Sequence, residues 1–126
     1  MKDFLSICLG ACAGATSRYY LGLWFASRLG THFPYGTLFI NVTGCLILGF
    51  FSTLALERSA LIPSEVRLLI AIGFTGSYTT FSTFGYETIR LLEDGNFLLA
   101  IAYVLGSVLA GLTATYFGLV AARAFA

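Results

Sequence analysis

Charged residues are scarce in this chain: only 10% of its 126 residues are Asp, Glu, Lys or Arg, whereas 58% are hydrophobic. Soluble domains usually carry about 25% charged residues and about 45–50% apolar ones. The formal net charge is +1, so the sequence has neither the basic surface of a nucleic-acid-binding protein nor a polybasic patch for anionic lipids. The composition predicts an integral membrane protein whose surroundings are the lipid bilayer, with no separate soluble domain and no nucleic-acid partner.

The residue types that build catalytic and metal sites are also scarce. His32 is the single histidine, and Cys8, Cys12 and Cys45 form no CxxC pair. No metal-ligand spacing, phosphate-binding glycine loop or serine with a plausible base is present. We therefore predict that the protein is not an enzyme and that His32 is solvated in a loop. The three cysteines are predicted to be free thiols used as small apolar residues, with a disulfide as the alternative.

Long apolar runs fill most of the chain, and a crossing of the bilayer needs about 20 mainly apolar residues. Polar connections separate four such segments, whose predicted helices span residues 4–26, 35–56, 68–89 and 97–122. The first segment superficially resembles a lipoprotein signal ending at Cys12, but its apolar pattern continues beyond that residue, which favours an uncleaved helix. The predicted fold is an all-α membrane protein with a single four-helix transmembrane domain.

The basic residues give only a weak orientation signal. Four crossings place both termini on one side, and the two sides hold Lys2, Arg58, Arg67 and Arg123 against Arg28, Arg90 and, if it lies near its helix end, Arg18. Because Lys and Arg in short loops set orientation, our hypothesis is that the chain inserts both ways and pairs head to tail with itself. The alternative is a single orientation with cytoplasmic termini.

Small residues recur on the predicted helices, for example at Gly10 and Gly14 in the first segment. Small residues let membrane helices approach closely. Four closely packed helices leave little space for a pore inside one subunit. We therefore expect a homo-oligomer in which the pore follows the subunit contacts.

The third segment contains a polar interruption, GFTGSYTTFSTF at residues 73–84, with two glycines and six Ser or Thr residues. In the bilayer core an unpaired N–H or C=O costs several kcal/mol, so broken backbone survives only where protein or a watery cavity covers it. The interruption therefore predicts a helix break that serves a transport or binding site.

Polar side chains at membrane depth are nearly all neutral donors, and neither Lys nor His is among them. Such groups could replace part of an anion's hydration shell without holding it tightly, as conduction requires. Phe81 and Phe84, three residues apart on one helix face, could turn electropositive ring edges toward an anion; ordinary packing is the alternative.

Arg18 must face protein or water, as a vestibule residue or in a structural pair. Glu87 could be its partner or a pore-mouth residue.

Four motifs together resemble the Fluc (CrcB) family of small fluoride channels: GACAGATSRY (10–19), GTLFINVTG (36–44), GFTGSYTTFSTF (73–84) and YVLGS (103–107). The resemblance implies a dual-topology antiparallel homodimer with two fluoride pores. It also implies passive export of fluoride from the cytoplasm across a bacterial inner membrane by a multi-pass protein.

The same resemblance implies roles for individual residues. The pore would be lined by Phe81, Phe84, Asn41, Thr37, Ser82, Thr83, Tyr103 and Ser107. Arg18 would be the vestibule arginine, and the backbone carbonyls of Gly76 and Thr79, with their twofold mates, would hold a structural Na⁺ at the dimer centre. The chain departs from the family pattern at Ala11, at Ser77-Tyr78 and at Gly111, which leaves the packing at the break and the length of the polar track open.

Two other functions are alternatives to a fluoride channel. A small multidrug or guanidinium exporter also has four crossings, but it needs a membrane-embedded carboxylate, typically in the first helix. Residues 4–27 contain no Asp or Glu, which leaves Glu87 as the candidate. A non-transporting assembly subunit would give no ion flux when purified and placed in liposomes.

Overall fold

The computed structural model describes residues 1–58 and 60–125, and this part of the chain is helical with short turns and no β-strand. The predicted all-α class is therefore confirmed. The first two helices are α1 (Lys2–Leu29) and α2 (Tyr35–Glu57), and the last helix of the chain spans Phe97–Phe125. These helices extend beyond the predicted apolar segments because the polar residues at their ends are also compatible with helical backbone. Asp3, for instance, lies in the first turn of α1, where a negative charge is favourable.

The third segment consists of two helices. The first, α3, covers residues 64–78 and is built from Ser64–Arg67, a π-helical stretch Leu68–Thr75 and Gly76–Tyr78. Thr79 (φ −77°, ψ 160°) and Thr80 (φ −152°, ψ 114°) are extended. The second helix, α4, spans Phe81–Glu93, so the helix of 97–125 is α5. The extended pair separates α3 from α4 inside the sequence motif of residues 73–84.

Glycine permits the chain to reverse direction after α1 and after α4. Gly30 and Gly95 both have φ of 76°, a left-handed conformation that glycine adopts without a Cβ clash. The Gly30 amide donates to the Ala26 carbonyl at 3.0 Å, and the Gly95 amide donates to the Leu92 carbonyl at 3.0 Å. These bonds close the two helix ends and direct the chain back into the bundle.

Within residues 1–58 and 60–125, the helices long and apolar enough to cross a membrane, by length and composition, are α2 and α5. Most of their apolar side chains are not buried in the subunit; Leu98, Leu109 and Leu112 of α5 are 80%, 64% and 66% exposed. A soluble monomer rarely exposes contiguous apolar surface on this scale. The outer face of α5 is thus suited to lipid or to another subunit rather than to water.

Close backbone contacts join the helices in two pairs. A methyl group added at Gly10 or Gly14 of α1 would overlap a carbonyl oxygen of α3, that of Leu69 or Phe74 respectively. In the other pair, a methyl group on Gly118 of α5 would overlap the Leu46 carbonyl oxygen and lie 2.7 Å from the Phe50 amide nitrogen of α2. Glycine is required at these positions because the helix backbones touch.

Replacing Gly118 with Ala should destabilise the fold by about 1–3 kcal/mol, the usual cost of inserting a methyl group into a packed contact. Gly106→Ala is the matched control on the same helix, because nothing lies within 4 Å of its added Cβ. Thermal unfolding in detergent measures both variants. Equal melting temperatures for the two variants would contradict the close contact.

Candidate functional site

Thr80, the second extended residue between α3 and α4, receives its missing backbone hydrogen bonds from α2. Asn41 Nδ2 donates to the Thr80 carbonyl at 3.0 Å, and the Thr80 amide donates to Asn41 Oδ1 at 2.8 Å. The Asn41 side chain thus bonds both the backbone amide and the backbone carbonyl of Thr80. Since unpaired peptide groups in the bilayer core cost several kcal/mol each, Asn41 is the residue that makes the interrupted helix tolerable at membrane depth.

Thr80 also starts α4. Its side-chain oxygen accepts a hydrogen bond from the Thr83 amide at 3.2 Å, which is the usual N-cap contact. The Thr80 hydroxyl lies 2.9 Å from Thr83 Oγ1 and 3.4 Å from Ser82 Oγ. Thr80 is buried, whereas Ser82 and Thr83 are exposed on the subunit surface. The three hydroxyls form a short polar row at the start of α4.

Arg18 of α1 approaches the interruption from another side, and its Nη1 donates to the Thr79 carbonyl at 3.2 Å. Arg18 lines a cleft of about 580 Å³ together with Thr37, Thr83 and Glu87. The ion pairs within residues 1–58 and 60–125 are Arg90–Glu93 and Arg123–Glu57, so the suggested Arg18–Glu87 pair is not formed. Arg18, the predicted vestibule residue, thus donates a hydrogen bond to the Thr79 carbonyl, which is also a predicted Na⁺ ligand.

Glu87 of α4 joins three helices. Its Oε1 accepts from the Thr37 hydroxyl of α2 at 2.8 Å, and its Oε2 accepts from the Tyr103 hydroxyl of α5 at 2.8 Å. Tyr103 is fully buried and Thr37 nearly so. The sequence analysis named Thr37, Tyr103 and Glu87 separately but did not predict the hydrogen bonds that join them. The sequence spacing could have indicated that Glu87 lies near Phe84, since it follows Phe84 by three residues on the same helix face.

Aromatic rings continue from this carboxylate toward the interruption. The Phe84 ring lies 5.0 Å from the Tyr103 ring and 5.7 Å from the Phe81 ring, both in tilted arrangements. Phe33 contacts the opposite side of Tyr103 edge-on at 5.5 Å. Phe84 is half-buried, but Phe81 is 84% exposed. In a single subunit the Phe81 ring therefore has one side without protein contact.

A second cleft, of about 350 Å³, lies beside these rings and contains Asn41, Thr80, Phe81, Phe84 and Ser107. Cys45 also lines this cleft, and all three cysteines are free thiols, as predicted. In the described part of the chain, Ser107 Oγ is the buried side-chain polar atom that lacks a hydrogen-bond partner. Buried polar groups are normally paired, but the proton of this hydroxyl has no acceptor among the described residues.

The predicted site residues thus divide into two groups around the interruption. Phe81, Phe84, Asn41 and Ser107 share the cleft beside the rings. Arg18, Thr37 and Thr83 line the other cleft, where Glu87 is also found. Tyr103 touches both groups, through its hydroxyl bond to Glu87 and its ring contact with Phe84. Gly76, which is exposed, and Thr79, which is half-buried, also line the cleft beside the rings.

Comparison with known proteins gives a consistent result across nearly the whole chain. The family described as CrcB-like protein, Camphor Resistance (CrcB), matches residues 5–119. The chain is 56% identical over 119 residues to the fluoride-specific ion channel FluC of Trichormus variabilis, covering 94% of this chain and 87% of that protein. It is 50% identical over 125 residues to the fluoride-specific ion channel FluC of Chloroflexus aurantiacus, covering 99% and 98% of the two chains.

Tyr103→Phe should lower the stability of the folded protein by about 1–3 kcal/mol, because it leaves a partly buried oxygen of the Glu87 carboxyl group without its donor. Tyr116→Phe is the control on the same helix, since Tyr116 is 63% exposed. Unfolding by heat or denaturant in detergent measures the difference. If both variants unfold alike, the Tyr103–Glu87 bond contributes nothing to the fold.

Proposed function

The chain belongs to the CrcB family of fluoride-specific ion channels, and we propose how its residues carry fluoride. It is a membrane protein that conducts an ion, not an enzyme. The observation that carries the proposal is the cleft beside the interrupted helix, where Phe81, Phe84 and the unpaired Ser107 hydroxyl meet. The charge-neutral donors of this cleft suit a small, strongly hydrated anion that must bind weakly enough to leave.

Ring edges and single hydroxyl or amide protons are the groups that replace water around the ion. Aromatic rings have an electropositive edge and a negative face, so Phe81 and Phe84 attract an anion when they turn their edges toward it. The Asn41 amide has two N–H groups, and only one is used on the Thr80 carbonyl. The second N–H and the Ser107 hydroxyl supply conventional donors in the same cleft.

Arg18 acts as the vestibule charge in this proposal. Its guanidinium has five N–H donors, of which one contacts the Thr79 carbonyl. The remaining positive field raises the local anion concentration at the cleft that it lines. Ser82 and Thr83, exposed at the start of α4, extend the polar surface beside the phenylalanines. The Thr37 and Tyr103 hydroxyl protons both go to Glu87, so either residue can bind fluoride only after Glu87 releases it.

A second copy of the chain is proposed as the missing wall of the pore. The Phe81 ring is 84% exposed, and the cleft beside it opens on the subunit surface. A twofold axis between antiparallel copies would close two such clefts at once, giving two pores per dimer. The four predicted crossings, with weak charge bias between the two sides, permit the opposite insertion that this dimer needs in the inner membrane.

We place a structural Na⁺ at the dimer centre, held by the carbonyls of Gly76 and Thr79 from both copies. Carbonyl oxygens released by an interrupted helix are typical Na⁺ ligands in membrane proteins. Each carbonyl oxygen has two lone pairs, so the Thr79 oxygen that accepts from Arg18 retains one for a cation. Gly76 is exposed and has space for an approaching partner, since nothing lies within 4 Å of a Cβ built on it.

A proton-coupled exporter is disfavoured by the position of the acidic residues. Its mechanism needs a carboxylate in the first helix that exchanges protons for cations. In α1 the acidic residue is Asp3, in the first turn. Glu87 is enclosed instead by two hydroxyl donors, and the relatives are named fluoride-specific ion channels.

Phe81→Ile and Phe84→Ile should each reduce fluoride efflux about tenfold, because an aromatic interaction of up to about 1.5 kcal/mol is lost and 1.4 kcal/mol corresponds to a factor of ten. Efflux from liposomes is measured with a fluoride electrode, and chloride efflux is measured alongside. Phe117→Ile, a 61% exposed position on α5, is the control. Full fluoride efflux in both variants would exclude the proposed role of the ring edges.

Dual insertion is tested by labelling the loop between α1 and α2 from each side of the membrane. His32, which is exposed in that loop, is changed to Cys in a protein whose three native cysteines are Ser. A membrane-impermeant thiol reagent should reach about half of the molecules from either side, since the charge bias is weak. Labelling from one side alone would exclude the antiparallel dimer.

A further inference from the structure

Tyr78 is the last helical residue before the interruption, and it is almost completely buried, with 4% of its surface exposed. Its hydroxyl lies 2.9 Å from Thr43 Oγ1 of α2. Its ring is stacked on the Phe74 ring of the preceding helical turn, with centroids 5.4 Å apart and planes inclined by 14°. A buried phenol normally finds a partner for its hydroxyl, and here that partner lies on a different helix.

The surrounding hydroxyl bonds define which group donates. Thr43 Oγ1 lies 2.7 Å from the Phe39 carbonyl oxygen, one turn earlier on α2, and donates its proton there. A threonine hydroxyl has one proton but two lone pairs. The Tyr78 hydroxyl therefore donates to Thr43, which relays the contact to the backbone of α2.

Two glycines hold the Tyr78 residue in a fixed place. A Cβ built on Gly44 of α2 would lie 3.4 Å from Tyr78 Cδ1, and one built on Gly14 of α1 would lie 3.0 Å from the Tyr78 amide nitrogen. Gly14 thus lets the backbone at Tyr78 lie close to α1, and the Tyr78 ring is in van der Waals contact with α2 at Gly44. In a well-packed environment of this kind, small displacements are resisted.

We propose that the Tyr78–Thr43 hydrogen bond is a positioning contact for fluoride conduction. It rests on the proposed channel function and adds a residue pair to it. Residues 78, 79 and 80 are bonded in succession to Thr43, Arg18 and Asn41. The Tyr78 bond holds the α3 side of the interruption, whereas the other two hold the peptide groups that follow. The three bonds together fix the direction in which Phe81 leaves the interruption and enters the cleft.

Substitutions at the two residues can distinguish a positioning role from a stabilising role, because they affect the buried hydrogen bond differently. Thr43→Val keeps the shape of the side chain but leaves the buried Tyr78 hydroxyl without an acceptor. Tyr78→Phe removes the hydroxyl itself and keeps the ring stacked on Phe74. Removing both partners of a buried hydrogen bond is much less destabilising than removing the acceptor alone.

The experiment measures fluoride efflux per folded dimer and thermal unfolding for wild type, Tyr78→Phe, Thr43→Val and the double variant. We expect the melting temperature to fall in Thr43→Val and to recover in the double variant. Efflux should fall about three- to tenfold in all three variants, the factor that one hydrogen bond supplies, and should not recover. Thr43→Ser keeps the hydroxyl and should keep wild-type efflux. Tyr86→Phe, 68% exposed on α4, is the control.

Efflux that recovers together with the melting temperature would show that the bond serves stability alone, and it would overturn the proposal. Wild-type efflux in Tyr78→Phe would overturn it as well. Failure of the channel function is distinguishable, because it would appear as absent fluoride efflux in the wild-type protein. Reduced efflux in the double variant at a normal melting temperature supports the positioning role.

Discussion

Peptide groups that leave a helix inside a bilayer have no water to bond with, and this constraint governs the arrangement of the molecule. The Thr79 amide still donates to the Thr75 carbonyl of α3, but the Thr79 carbonyl and both backbone groups of Thr80 have partners on other helices. Asn41 supplies two hydrogen bonds to Thr80 and Arg18 supplies one to Thr79. Both partners lie on other helices, so the interruption can exist only when the bundle is assembled. The polar groups that permit the interruption are also those that line the clefts around it.

Glu87 is a carboxylate close to the proposed anion path. Glu87 lies on the same face of α4 as Phe84, where a bare negative charge would repel fluoride. Both of its oxygens accept hydrogen bonds from hydroxyl groups of the protein, those of Thr37 and Tyr103. Charge-assisted hydrogen bonds of this kind are the strong ones. The cleft that contains Ser107 is lined by neutral donors, without Glu87, which suits the proposed passage of an ion.

Sequence reasoning could predict the elements that depend on local composition. The helical class follows from long apolar segments, and the polar motif at residues 73–84 identified the region of the site. It could not predict pairings between distant residues, because these depend on how helices pack. Thr37 and Glu87 are 50 positions apart, and Asn41 and Thr80 are 39 apart. Asn41 was predicted as a pore amide, whereas its bonds to the Thr80 backbone became visible only in three dimensions.

The glycine contacts between α2 and α5 have a mechanical consequence. The backbones touch at Gly49 and Gly118, and the Glu57–Arg123 ion pair joins the same two helices at one end. Two helices in direct backbone contact resist sliding past each other, since close-packed groups have little room to move. Asn41 lies on α2 and Ser107 lies on α5. The backbone contact between the two helices therefore fixes the spacing of these two side chains.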